Sequence, residues 1–133
     1  MTVAFGQIEV AVADHLAAQL AGRGVTVPVL NAVPRTARPP SYVLVLRPGG
    51  SQHNLVTDRP RLVTEVVAET GTAAGELAAV VRALLGGVAP GRVASVWIDR
   101  VRNAGLAFSP DPDTNAPRYL ITTELWQRGN ALT

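Results

Sequence analysis

The chain has 133 residues, 47% hydrophobic and 17% charged, with 12 basic against 10 acidic side chains and a net charge of +2. A length of this order holds one core of two helices and a four- or five-stranded sheet, so a single domain over 1–133 is expected, with rather little charge for the surface of a monomer. Cysteine is absent, which excludes disulfides, thiolate catalysis and cysteine-based metal sites, and no apolar run approaches the ~20 residues of a membrane span.

Every basic residue is arginine; there is no lysine. Coding bias in a GC-rich genome would account for this, and for the abundance of Ala, Val, Gly and Pro. Arginine is also the residue of interfaces, because its planar, weakly hydrated fork pairs bidentately with carboxylates. The N-terminal stretch carries Glu9 and Asp14 and no basic segment, so it does not read as a signal peptide, and synthesis in the cytoplasm is expected.

In chain order, Ile8, Val12, Leu16 and Leu20 repeat every four residues and predict a helix over 3–21, with Thr2 as N-cap and Gly22 and Gly24 as the stop. His15 sits at the edge of that stripe and reads as a surface residue. VTVPVL at 25–30 has strand composition, but Pro28 cannot donate to a ladder and points to an edge strand or a bulge. Residues 31–40, with Pro34, Pro39, Pro40, Arg35 and Arg38, read as an extended connector, either a stiff solvated linker or a basic arm. SYVLVLR at 41–47 predicts a strand with Tyr42, Leu44 and Leu46 on one face and Val43 and Val45 on the other. From Pro48 to Asp58 periodicity gives way to turn formers, so a long mobile loop is expected. His53, within it, has no catalytic partner in any recognised arrangement.

The stretch 61–69, RLVTEVVAE, alternates as a half-buried strand and leads into the amphipathic run TAAGELAAVVRALL, with Gly86-Gly87 as an αL stop. VASVWIDRV at 93–101 predicts another strand, followed by a bend or bulge at Asn103 to Gly105. The loop 109–117, SPDPDTNAP, imitates the opening of a calcium loop. However, Ala116 stands where glycine is needed and Thr122 where a bidentate glutamate is needed. RYLITTELWQR at 118–128 is the longest clean strand, and GNALT reads as a frayed tail.

The expected fold is therefore α+β, in the order α-β-β-β-α-β-β, with a mainly antiparallel sheet of four to five strands. At ~4.8 Å per strand the sheet is about 20 Å wide, which two helices of about 10 Å cover on one face. Tyr42, Leu44, Leu46, Leu62, Val66, Ile121 and Leu125 are assigned to the helix side. Val43, Val45, Val63, Val67, Trp97, Leu120 and Trp126, interleaved with Glu65, Glu69, Asp99 and Glu124, form the other. A large apolar face marks an interface, so self-association is expected. If instead the helices take one face each, no such patch is left.

Motifs for nucleophilic catalysis, phosphate cradling, zinc or dinucleotide binding are absent from the sequence. The expectation is a non-enzymatic protein with no cofactor, no metal and no catalytic residue. Scattered arginines and few aromatics give no sign of sequence-specific nucleic-acid binding.

The N-terminal amphipathic helix, the strand DRPRLVTEVVAE entering TAAGELAAVVRALL, and the late loop closing on APRYLITTELWQRG together resemble the tail terminator family of long-tailed bacteriophages, also called tail completion or minor tail proteins. The resemblance implies a virion protein of the tail or neck. Such a protein forms a hexameric ring that caps the tail tube, ends tube polymerisation and docks to the head-side connector or stopper, with genome DNA passing through the lumen. Ring contacts would then fall on Val63, Glu65, Val67, Glu69, Trp97, Arg118, Glu124 and Trp126. The loop bearing Arg47, Gln52, His53, Asn54 and Arg59 would meet the tube or connector, and Arg35, Arg38, Arg59 and Arg118 would pair with carboxylates of neighbours. The alternatives are another head-to-tail connector, a stopper or adaptor, and a small ligand-binding or enzymatic α+β domain. A nucleic-acid module would instead show steep salt dependence.

Overall fold

The computed structural model describes residues 1–34 and 37–132. Its elements run β1 (Val3–Ala4), α1 (Ile8–Gly22), β2 (Val29–Leu30), β3 (Tyr42–Gln52), β4 (Thr57–Val67), α2 (Gly71–Gly86), β5 (Gly91–Val93), β6 (Val96–Phe108), β7 (Arg118–Arg128) and β8 (Asn130–Ala131). A six-stranded sheet has the order β2-β3-β4-β7-β6-β5 and is antiparallel except where β2 runs parallel to β3. Strands β1 and β8 pair separately. The fold is α+β as expected, but the sheet has six strands rather than four or five, and the element order gains β1, β5 and β8.

Both helices cover the same side of the sheet. Ile8, Val12, Leu16 and Leu20 of α1 and Ala78, Val81 and Leu85 of α2 share one core with Leu62, Val66, Ile98, Ile121 and Leu125. Helix α1 touches β2 and β3 at one edge and β5 at the other, so the sheet curls around it. The four-residue stripe of α1 is buried as its spacing requires. The helix starts at Ile8 rather than residue 3, with Gln7 and not Thr2 as N-cap, because Val3 and Ala4 are drawn into the ladder with Asn130 and Ala131. That pairing also orders residues 130–132 of the stretch expected to fray, the Leu132 amide donating to the Thr2 carbonyl at 2.8 Å. Helix α2 is N-capped by Thr70, whose hydroxyl accepts from the Ala73 amide at 3.1 Å. Gly87, however, closes it at φ −90° rather than in the left-handed region.

Two further expectations fail for identifiable reasons. The stretch from Pro48 to Asp58 is mostly not loop: β3 and β4 continue as a hairpin to Gln52 and Thr57, pairing Gly49 with Arg61, Ser51 with Arg59 and Gln52 with Asp58. Gly50 makes this possible. Its φ is +101°, and a Cβ there would meet the backbone of Arg59 and stand 2.6 Å from the Arg61 amide nitrogen. Only residues 53–56 turn, with Asn54 Oδ1 accepting from the amides of Val56 at 2.9 Å and Thr57 at 2.8 Å. The phase of β3 is also reversed. Val43 and Val45 face the helices and Tyr42, Leu44 and Leu46 face away, because Val43 is paired with Val66 and Val45 with Thr64. A strand that is apolar on both faces carries no phase of its own, and its partner sets it.

Other features follow the sequence. Pro28 precedes an edge strand, β2, which shrinks to Val29 and Leu30. Strand β6 runs through the predicted bend with register shifts at Ile98/Arg100 and Asn103/Gly105, and β7 has the predicted bounds.

Candidate functional site

The sheet face turned away from the helices divides into two regions of different character. Near β2 and β3, Tyr42, Leu44 and Val67 are buried against Leu30 of β2 and Leu46 of β3, and against Val33 and Ala116 from the two proline-rich segments. Asp111 anchors this cover. Its Oδ1 accepts from the backbone amides of Asp113 at 2.8 Å and Thr114 at 3.2 Å, and its Oδ2 meets Arg38 at 3.3 Å. These amides, with the Arg38 and Arg118 charges, outweigh the cost of burial and hold its carboxyl below the usual range. The first aspartate of the calcium-like run thus has both oxygens engaged within the turn and its strap. Among the described residues no acidic or histidine cluster could hold a metal ion.

The second region spans β4, β7 and β6 and is dominated by arginine. Strand alternation and the registers Arg61 to Glu124, Arg102 to Glu124 and Arg100 to Trp126 bring these side chains together on one face. Glu124 is approached by Arg61 at 3.5 Å, Arg102 at 3.7 Å and Arg59 at 3.9 Å. One carboxylate cannot give three guanidinium groups short bidentate bonds. Trp126 carries Arg100 over its ring at 4.6 Å and Arg59 at 5.9 Å, and Trp97 carries Arg92 at 6.0 Å.

Two tighter pairs flank the cluster. Arg118 meets Glu65 at 3.0 Å, with both side chains mostly buried, and Arg128 meets Asp99 at 2.9 Å. Burial pushes the Asp99 carboxyl up, but the bonds from Arg128 and the Trp97 indole N–H outweigh it and hold the group low. In all, Arg59, Arg61, Arg92, Arg100, Arg102, Arg118 and Arg128 stand on this face against Glu65, Asp99 and Glu124, a surplus of four positive charges. Beside Glu124 opens a cleft of about 500 Å³ lined by Pro48, Gly49, Gly50, Ser51, Arg59 and Arg61.

The helical side is different. Between α1 and α2 lies an apolar groove of about 670 Å³, lined by His15, Gln19, Ala79, Val80, Ala83 and Leu84. His15 is half-buried there, and desolvation lowers its pKa. Glu9, Asp14, Glu69, Glu76 and Asp113 form no ion pair among the described residues.

Of the predicted interface residues, Val63, Glu65, Trp97, Arg118, Glu124 and Trp126 do share the outer sheet face. Val67 does not present a free surface: it is 2% exposed under the proline-rich cover. Glu69 lies past β4 in the turn into α2. Arg38 and Arg118 are engaged within the chain, and Arg35 lies outside the described residues. Of the predicted contact loop, Gln52 and Arg59 lie in the hairpin ladder and His53 and Asn54 in its turn. Arg47 meets Asp58 at 2.9 Å.

Sequence reasoning passed over Leu55, 82% exposed at the hairpin tip, because it placed that residue in a loop with no defined apex. It also passed over Arg100 and Arg102 as partners of Trp126 and Glu124. The phase of β6 shifts at a bulge between Ile98 and Arg100 that alternation does not announce.

Neither a family model nor a curated protein matches the sequence. Among solved structures, the chain is similar to a chain of the virion of a native gene transfer agent particle, at 18% identity and a TM-score of 0.67. The match covers 92% of this chain and 95% of that one. At such identity the likeness shows that the two share a fold.

Proposed function

We propose that the chain is a structural protein of a phage-type virion, and that within the tail or neck it forms a ring that caps the tail tube, ends tube growth and joins the tail to the head-side connector. The observation that carries this reading is the whole-chain fold likeness to a component of a gene transfer agent virion. It agrees with the tail terminator resemblance of the element layout. The outer sheet face supports it in kind, being rich in Arg and Trp and free of Lys, a composition typical of protein interfaces. The role is steric and interfacial, with no reaction for the chain to catalyse.

Light scattering across a concentration series, with negative-stain imaging of the same sample and sedimentation with purified tail tubes, tests the reading. The expected result is a closed ring of about six subunits under ordinary cyclic symmetry, found at one end of the tubes. A ring that binds the head-side connector but ignores tube ends would assign a stopper or adaptor role instead. A chain that stays monomeric and also ignores tubes would remove the reading.

A further inference from the structure

The outer sheet face is built to meet carboxylates it does not itself possess. Glu124 has two oxygens and three guanidinium neighbours, all at 3.5 Å or more. Donor capacity on Arg59, Arg61 and Arg102 is therefore left over, and it faces a cleft open to solvent. Arg92 and Arg100 have no carboxylate at all among the described residues and lie over indole rings. A charged group from outside would complete this arrangement.

A polypeptide fits better than a nucleic acid. Glu65, Asp99 and Glu124 are interleaved with the arginines and would repel a phosphate chain. Both indole rings already carry guanidinium groups and are not free to stack bases. Arginine stacked on tryptophan at the centre of a mixed apolar and charged patch is instead the make-up of protein hot spots.

The charge distribution of the chain identifies the polypeptide. While the sheet face holds a surplus of four positive charges, Glu9, Asp14, Glu69 and Glu76 stand on or beside the two helices against Arg23 and Arg82, a surplus of two negative charges, and none of these four carboxylates has an ion pair among the described residues. Two copies cannot join sheet face to sheet face, since that places like charges opposite one another. They can join head to tail, the arginine face of one against the helical layer of the next. Such a heterologous contact closes into a ring or runs on as a filament.

We infer that a second copy of this chain docks on the Arg59, Arg61 and Arg102 cluster through carboxylates of its helical layer, Asp14 and Glu76 among them. This rests on the ring reading and names the surfaces that build the ring.

The test uses two variants of the full chain, Arg59→Glu/Arg61→Glu and Asp14→Arg/Glu76→Arg, alone and mixed, with mass read by light scattering. The altered residues are solvent-accessible, and matching circular dichroism and thermal midpoints establish that both variants fold. Each variant alone is expected to associate on the order of a hundredfold more weakly than the unaltered chain, because it sets like charges opposite one another. The mixture regains association, because each variant keeps the surface that the other lacks. Raised salt weakens association of the unaltered chain.

If either variant assembles normally alone, or if the mixture stays monomeric while the unaltered chain forms rings, the inference fails and the ring reading stands. Salt-independent assembly also overturns it. An unaltered chain that is monomeric at every concentration overturns the inference, and the ring reading falls with it only if tail tubes are ignored as well.

Discussion

Thr64 and Thr123 are fully buried on the helix side of β4 and β7, and neither hydroxyl has a hydrogen-bond partner. A buried donor without a partner keeps the full cost of leaving water. Thr64→Val and Thr123→Val preserve the branched shape that fits the strand while deleting that group. Each is expected to raise stability by about 1 kcal/mol, or about 3–5 °C in thermal midpoint. A lowered midpoint would mean that the hydroxyl is satisfied. Asp111 is the opposite case, a nearly buried carboxylate whose every contact favours its charged form. Asp111→Asn should cost about 1–2 kcal/mol at neutral pH. A depressed folded-state pKa contributes stability above the unfolded value of about 3.9 and loses it as pH falls through the folded value. The gap between the two proteins should therefore close below about pH 4, as followed by urea unfolding at stepped pH. A gap that persists at low pH would show that shape, not charge, holds the strap.

At the level of elements, the β3–β4 hairpin turns on one backbone position. Gly50→Ala should destabilise by about 2–3 kcal/mol, since it combines a left-handed φ with overlap on the facing strand. Gly49→Ala, where a Cβ meets open space, should change stability by less than about 0.5 kcal/mol. Urea unfolding and amide exchange at Ser51 and Arg61 separate the two, and equal effects would show that the distal hairpin does not depend on this crossing. The hairpin also marks the limit of what the sequence conveys. Strand β7 is legible residue for residue because Ile121, Thr123 and Leu125 alternate with residues that face away, and α1 because its stripe has one period. The run PGGSQHNLVTD is rich in turn formers, and its strand pairing comes from a partner across the ladder, which local pattern cannot show. The same physics decided β3, whose two faces are equally apolar. It also hid half of the arginine cluster, because the phase of β6 depends on its bulge.

For the whole molecule, positive charge and tryptophan are segregated together. Trp97 and Trp126 are the only two tryptophans of the chain, and both lie on the arginine face, partly exposed. Any assembly that covers this face removes water from both indoles, whereas assembly through the helical layer alone leaves them wet. Intrinsic fluorescence therefore reports which surface is joined. As concentration rises and mass increases, the emission should move to the blue and acrylamide quenching should fall, in step with the scattering signal. Trp126→Phe should remove most of the change if the Glu124 cluster is the centre of the contact, because this indole lies between that cluster and Arg100. Trp97→Phe should remove less, its ring standing towards the β5 edge with Arg92. A mass increase with an unmoved spectrum would place the contact elsewhere, leaving the exposed Leu55 apex and the groove between the helices as the surfaces to alter next.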